Sequence, residues 1–246
     1  GSAGTKVVIE DFLQGEEASF IVLCDGKKTI PFASSQDHKA RDNNDLGPNT
    51  GGMGAYSPAP IVTEEIHKQV MEKIIKPTID GLKSEGITYK GFLYAGLMIK
   101  NSEISVLEFN CRFGDPETQP ILMRMESDLA EICLLAAQGN LNEREISWTK
   151  DSALGVVIAS KGYPFEYEKN KEINNLENEN PRQKVFHAGT KTQEGKVLSN
   201  GGRVLCVTAL GSTLLDSKNL AYQKVKNIDW KDGFYRDDIG DKAIKS

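Results

Sequence analysis

Between Val106 and Pro120 the chain reads VLEFNCRFGDPETQP, and this stretch constrains the fold more than any other. Val106, Leu107 and Phe109 are the apolar, β-prone residues of a largely buried strand end. Polar groups then arrive where a strand normally stops. Glu108 and Asn110 stand two apart, so on a strand both side chains leave the same face. One charged and one neutral oxygen suit a divalent cation such as Mg²⁺ that is also held by substrate phosphates. Arg112 continues the alternation if the strand runs that far, which sets a fixed cation beside those oxygens. Gly114-Asp115-Pro116 then turns the chain. A cation, two metal-type oxygens and a turn at this spacing point to phosphoryl transfer. A surface strand with Glu, Asn and Arg facing water shares the first half of the pattern, and only the surrounding chain separates the two readings.

That surrounding chain is long enough for a sizeable core: 246 residues, 39% apolar and 26% charged. Length suggests one or two domains. The net charge of −5 gives no general attraction to nucleic acid or to an anionic membrane, and Lys and Arg form no basic run. Cys24, Cys111, Cys133 and Cys206 lie far apart without CxxC or Cys/His metal spacing. Three of them have apolar neighbours and read as buried thiols, which favours a reducing compartment. With no run of 18 apolar residues and no signal peptide, the expected location is the cytosol.

Taken in order, Val7–Leu13 is predicted as a strand, with Ala18–Cys24 as its hairpin partner. Asp25-Gly26 turns into a third strand, Thr29–Ala33. Residues 35–60 are the least regular and read as a functional loop. Gly47, Gly51, Gly52 and Gly54 there allow close backbone approach and inward-pointing N–H groups, as an anion needs, although neither a Walker A loop nor GxGxxG is present. Thr63–Glu85 is a capped amphipathic helix, in which Pro77 either starts a second helix or makes a kink. GFLYAGLMI (91–99) and 104–110 form a hairpin across Asn101-Ser102. Residues 127–139 form a helix capped by Ser127 and ended by Gly139. Leu141–Lys150 is a polar link. Beyond it, 153–160, 184–188, 195–198 and 202–210 are predicted strands, Leu214–Ile228 a helix and Phe234-Tyr235 a short return strand.

RFGDPETQP (112–120) resembles the signature of the phosphoribosylamine–glycine ligases, a family of the ATP-grasp superfamily. The likeness also covers EDFLQGEEASF (10–20), SQDHKARDNNDLGPNTGGMGAYSPAP (35–60), GFLYAGLMI (91–99), FHAGT (186–190) and NGGRVLCVTALG (200–211). It implies an α+β chain: an ATP-grasp fold incomplete at its N-terminus over 1–150, then a small mixed α/β C-terminal domain over 151–246. It also implies an N-terminal part of the same polypeptide ahead of Gly1, carrying the lysines that bind ATP phosphates. The implied reaction joins glycine to 5-phosphoribosylamine with ATP through an acyl phosphate, in purine biosynthesis.

The resemblance assigns roles to individual residues. Glu10, Asp11, Phe12 and Leu13 pass the adenine edge, and Glu17 binds the ribose hydroxyls. Asp37, His38 and Lys39 face the glycine and phosphoribosylamine side. So do Pro48, Asn49, Thr50, Gly51, Gly52, Met53 and Gly54, and so do Asp115, Pro116 and Glu117. Glu108 and Asn110 hold Mg²⁺ or Mn²⁺, and Arg112 stabilises the transferring group. Many ATP-grasp enzymes carry a second acid on the preceding strand, where this chain has Gly96-Leu97. His67 reads as structural or exposed; His187 and Arg203 lie in matching stretches of the C-terminal domain, where either a reach to substrate or a structural role is open and the structural one is favoured.

Overall fold

The computed structural model describes residues 5, 7, 9–142, 144–177 and 180–245. In chain order the elements are β1 (Glu16–Asp25), β2 (Thr29–Pro31), β3 (Gln36–Asp37), β4 (Ala40–Asp42), β5 (Leu46–Asn49) and β6 (Gly54–Ser57). A long helix follows as α1 (Glu64–Val70), a π-helical turn (Met71–Ile75) and α2 (Lys76–Ser84). Next come β7 (Lys90–Lys100), β8 (Glu103–Asn110), α3 (Thr118–Met123) and α4 (Leu129–Gln138). The remainder is β9 (Ser152–Ser160), β10 (Glu172–Ile173), β11 (Gln183–His187), β12 (Thr190–Gln193), β13 (Lys196–Ser199), β14 (Arg203–Gly211), α5 (Leu214–Asn227), β15 (Gly233–Phe234) and α6 (Asp241–Lys245).

The first sheet is antiparallel in the order β2-β1-β7-β8. Alternation divides its side chains cleanly. Ala18, Phe20, Val22 and Cys24 of β1, with Ala95, Leu97 and Ile99 of β7, pack on Ile66, Val70 and Ile75 of the long helix. On the other face Ile21, Leu23 and Tyr94 pack on Ile121 of α3 and on Ile132 and Ala136 of α4. Both faces of β1 are covered from Phe20 onward, which is why FIVLC is an unbroken apolar run rather than an alternating one. The second face is apolar only at one end. Towards the start of β1 it carries Glu17 and Ser19, with Gly96 and Glu108 beside Ser19 in register. That polar end is the floor of the candidate site.

The second sheet runs β11-β14-β9-β6-β3, with β15 also paired to β9. Ala221, Tyr222 and Val225 of α5 close one face over Leu154, Val156, Leu205 and Val207. β6 pairs with β9 from Gly54↔Val156 to Ser57↔Ala153, so this sheet draws strands from both sides of residue 150. That pairing carries the loop before β6 into contact with the C-terminal part.

Several expectations change. Val7–Leu13 contains no strand among its described residues (Val8 lies outside them), and Val7, Ile9 and Phe12 are exposed. The reason is pairing capacity: β1 is bonded along one edge to β7, and its other edge meets β2 and Ser35. β8 is an edge strand, not a largely buried one, with Val106 38% and Phe109 43% exposed. Residues 35–60 are not irregular; they form β3 to β6, because a backbone crossing the interior needs partners for its N–H and C=O groups. The cap of α4 is Asp128, whose carboxylate accepts from the Ala130 and Glu131 amides, while Ser127 accepts from Ser147 N–H. α3 follows the expected Gly114-Asp115-Pro116 turn, in a stretch for which no element was predicted. The predicted strands after residue 150 and the helix at 214 are present within one or two residues. The four thiols are free, and Cys111 is exposed. Among the described residues no helix is long and apolar enough to cross a membrane.

Candidate functional site

The polar end of the first sheet faces the segment joining β3 to β4. Lys39 leaves that segment, and its Nζ stands 3.0 Å from Glu17 Oε2 and 3.9 Å from Glu108 Oε1. Partial burial opposes its charge, but the carboxylates of Glu17, Asp37 and Glu108 outweigh burial and hold the ammonium above the usual lysine pKa. β7 and β8 slip by one residue between Gly96 and Leu97, which places Glu108 directly opposite Gly96. A Cβ on Gly96 would lie 3.2 Å from Glu108 Cγ, so the missing acid on β7 leaves Glu108 the room it occupies. Glu108 and Asn110 both follow the slip and share a face, as their spacing predicts.

A 220 Å³ cavity opens here, lined by Glu17, Asp37, Lys39 and Asn49, with Lys242 of α6 contributing to its wall. Asn49 and Met98 also line a neighbouring 570 Å³ cleft whose other walls include Glu10–Leu13 and Val106. The two expected halves of the site therefore adjoin along β7.

Behind Lys39 lie two carboxyls. Glu117 is 2% exposed and accepts a hydrogen bond of 2.8 Å from Ser19 Oγ. Since that hydroxyl spends its proton on Glu117, Tyr94 must donate to Ser19 across 3.0 Å, giving a relay Tyr94–Ser19–Glu117. Asp37 Oδ1 is buried with no hydrogen-bond partner among the described residues. Burial, then the charge of Glu117, push the Asp37 carboxyl well above the usual carboxylate range, against Lys39 and Arg203. A buried oxygen without a donor beside a second acid is a place for a proton or a cationic ligand group.

The glycine loop behaves differently from its expected role. Thr50 N–H donates to Lys39 O (2.7 Å), Gly51 N–H to Tyr163 Oη (3.0 Å), Gly52 N–H to Thr50 Oγ1 (3.0 Å) and Met53 N–H to His38 O (2.8 Å). These amides are committed inside the protein and do not form an anion-binding nest. The glycines answer to space instead. A Cβ on Gly54 would lie 2.7 Å from Gly155 O, and one on Gly114 would meet the Glu117 carboxyl at 2.6 Å.

Arg112 and His38 are both held by groups of the protein itself. β8 ends at Asn110, so the alternation does not reach Arg112, which is exposed and donates to Phe113 O at 2.9 Å. His38 is buried, with Nδ1 donating to Gly54 O at 3.3 Å and Nε2 accepting from Gly240 N–H at 3.2 Å. Nδ1 ties His38 to β6 and Nε2 ties it to the C-terminal segment, and Arg236 reinforces the second tie through Asp45, Asp238 and Ala40 O. Burial, then Arg236, push the His38 pKa down to about 4. A depressed folded pKa means the stability is present above the unfolded value near 6.5 and is lost as pH falls towards 4. The loss attributable to His38 is about 3 kcal/mol across that window. Urea unfolding between pH 7 and 4.5 should show it, and His38→Gln, which keeps an acceptor and a donor without titrating, should flatten the dependence. An equal slope in both proteins would show that His38 titrates freely.

Sequence reasoning does not single out Ser19, Tyr94 or Tyr163, and it favours a structural role for Arg203 over contact with substrate. A hydroxyl within the apolar run of β1 was the one local signal, for Ser19. Among the described residues no group of three or more His, Cys, Asp or Glu could hold a metal alone. The Glu108–Asn110 pair fits a cation only as part of a shell completed by ligand oxygens, which the open, half-exposed Glu108 side chain allows.

Two family descriptions match the chain: the phosphoribosylglycinamide synthetase ATP-grasp (A) domain over residues 1–118, and the C domain of the same synthetase over 153–242. A phosphoribosylamine–glycine ligase of Pasteurella multocida is 55% identical over 99% of this chain, and one of Allochromatium vinosum is 57% identical over 99%. The chain spans 57% and 58% of those two proteins. The crystal structure of the Thermotoga maritima phosphoribosylamine–glycine ligase superposes with a TM-score of 0.85 at 33% identity, over 94% of this chain and 57% of that one. Kluyveromyces lactis urea carboxylase shares the fold alone, with a TM-score of 0.64 at 13% identity over 89% of this chain and 19% of that one.

Proposed function

The chain belongs to the phosphoribosylglycinamide synthetase family, and on that premise we propose that the full-length protein joins glycine to 5-phosphoribosylamine at the expense of ATP. In this reading the glycine carboxylate attacks the γ-phosphate, ADP leaves, and the amine displaces phosphate from the acyl phosphate to give glycinamide ribonucleotide. The observation that carries the reading is the Glu17–Lys39–Glu108 cluster at the open end of the sheet, beside the cleft walled by Glu10–Leu13.

Each group has a task that its surroundings allow. The segment Glu10–Leu13 offers backbone groups to the adenine edge, and Glu17 offers its carboxylate to the ribose. Lys39 stays charged and sets a cation between the nucleotide side and the buried acids. Glu108 and Asn110 are the oxygens that would hold Mg²⁺ or Mn²⁺. Such an ion, when bound, would screen the charge of the phosphates. Asp37, with an oxygen that lacks a donor, is suited to receive the amine or ammonium of a substrate. The glycine loop shapes the wall through its carbonyls and close packing rather than through N–H groups.

The test is ADP release by the full-length protein with ATP present and each other substrate omitted in turn. Release should require glycine and 5-phosphoribosylamine together, and the product should have the mass of glycinamide ribonucleotide. Faster release with another amino acid in place of glycine would replace this reading with that of a different carboxylate–amine ligase.

A further inference from the structure

One side chain of the second sheet joins the two segments that wall the amine side of the site. Arg203, the first residue of β14, donates from Nη1 to Gly51 O (2.7 Å), Gly52 O (3.4 Å), Asp115 O (2.9 Å) and Asp115 Oδ1 (3.0 Å). Its Nη2 donates to Asp115 Oδ2 at 3.0 Å, so the carboxylate is gripped by both prongs. A Cβ on Gly51 would stand 2.7 Å from Arg203 Nη2 and 2.8 Å from Cζ, so a side chain at 51 would displace the guanidinium. Tyr163 holds the same loop by accepting from Gly51 N–H, and its ring lies where a Cβ on Gly202 would come within 2.3 Å. Residues 202–203 and Tyr163 thus form a seat for the loop, built from the second sheet and the turn that follows β9.

We infer that Arg203 is a positioning residue for the ligase reaction. It fixes the glycine loop against the Gly-Asp-Pro turn, and it acts through Gly51, Gly52 and Asp115 rather than on substrate. The inference rests on the ligase reading above. The Arg203 side chain is 21% exposed and that of Asp115 61%, so their ion pair adds little to stability. Its effect is geometric: one planar fork meets three backbone carbonyls and a carboxylate, so neither loop nor turn moves without the other. A loop with glycines at 51, 52 and 54 has wide backbone freedom once that fork is gone. Among the described residues no hydrogen bond joins Arg203 to the nucleotide side at Glu10–Leu13 and Glu17, where Glu17 pairs instead with Lys39.

The experiment uses the full-length protein with Arg203→Ala and Arg203→Lys. The KM for glycine should rise about tenfold or more in both, while the KM for ATP stays within about twofold and the thermal midpoint scarcely moves. Lysine keeps the charge but not the two-pronged grip, and added guanidinium ion should restore part of the alanine variant's activity. Should the alanine variant fail to fold, the lysine variant carries the comparison. Parallel rises in both constants would mark Arg203 as a general fold support, and unchanged constants would mark it as idle; either result overturns the assignment. If the wild-type protein shows no glycine-dependent release, the ligase reading fails first and this inference falls with it, a result separable from the other two.

Discussion

Under the proposed ligase reading, Glu108→Gln in the full-length protein is expected to lower turnover by on the order of 10²-fold or more while leaving the fold intact. Gln preserves the shape and an oxygen but removes the charge, which is what a hard cation and its phosphates require of this position. The fold should not notice. The side chain is 51% exposed on an edge strand, and the cation near it, Lys39 at 3.9 Å, keeps Glu17 at 3.0 Å as a partner. Turnover measured across a range of Mg²⁺ or Mn²⁺ concentrations checks the cause. The concentration for half-maximal rate should rise together with the loss of rate, and the urea midpoint should stay put. Near-normal turnover at unchanged metal requirement would remove Glu108 from the metal assignment and leave Asn110 without its partner.

The second large effect is expected at Gly52. Its φ is +111°, where L side chains are strained, and a Cβ would stand 2.4 Å from Pro116 Cδ and 2.5 Å from Asp37 Oδ1. Neither neighbour can give way, because one is a ring in a turn and the other a buried carboxyl. Gly52→Ala should therefore cost about 2–6 kcal/mol, adding backbone strain to overpacking, and should abolish activity by pushing Asp37 from its place. Gly81 in α2 is the control, since a Cβ there meets nothing within 4 Å. Gly81→Ala should stabilise the chain by about 0.5–1 kcal/mol. Urea unfolding of the two variants side by side checks both, and a Gly52→Ala chain as stable as wild type would end the close-approach account.

How much of this was visible in the residues alone depends on the range of each interaction. β-Prone apolar runs bounded by turn residues are a local signal, so FIVLC, GFLYAGLMI and ALGVVIAS could be read as strands, and the period of two along a strand put Glu108 and Asn110 on one face. Caps are also local, which is why the helix after Thr63 and its acidic first turn were legible. Local evidence misled where pairing capacity or the end of an element mattered. Val7–Leu13 has the composition of a strand, but its expected partner β1 is already paired with β7 on one edge and with β2 and Ser35 on the other. Arg112 has the right parity for a strand that has already stopped at Asn110. Ser127 is a good capping residue one position too early, because Asp128 lies nearer the first amides.

The chain's own order of residues was enough for the family, for most strands and helices, and for the shared face of Glu108 and Asn110, since those depend on spacing and residue type. Only the folded molecule decided that Lys39 would stand between Glu17 and Glu108, that Asp37 would be buried beside Glu117, and that Arg203 would tie two loops together across 88 and 152 residues of sequence. Those contacts arise when β6 pairs with β9 and the two sheets meet. Their energies depend on distance and burial, and neither quantity is written in any local stretch of sequence.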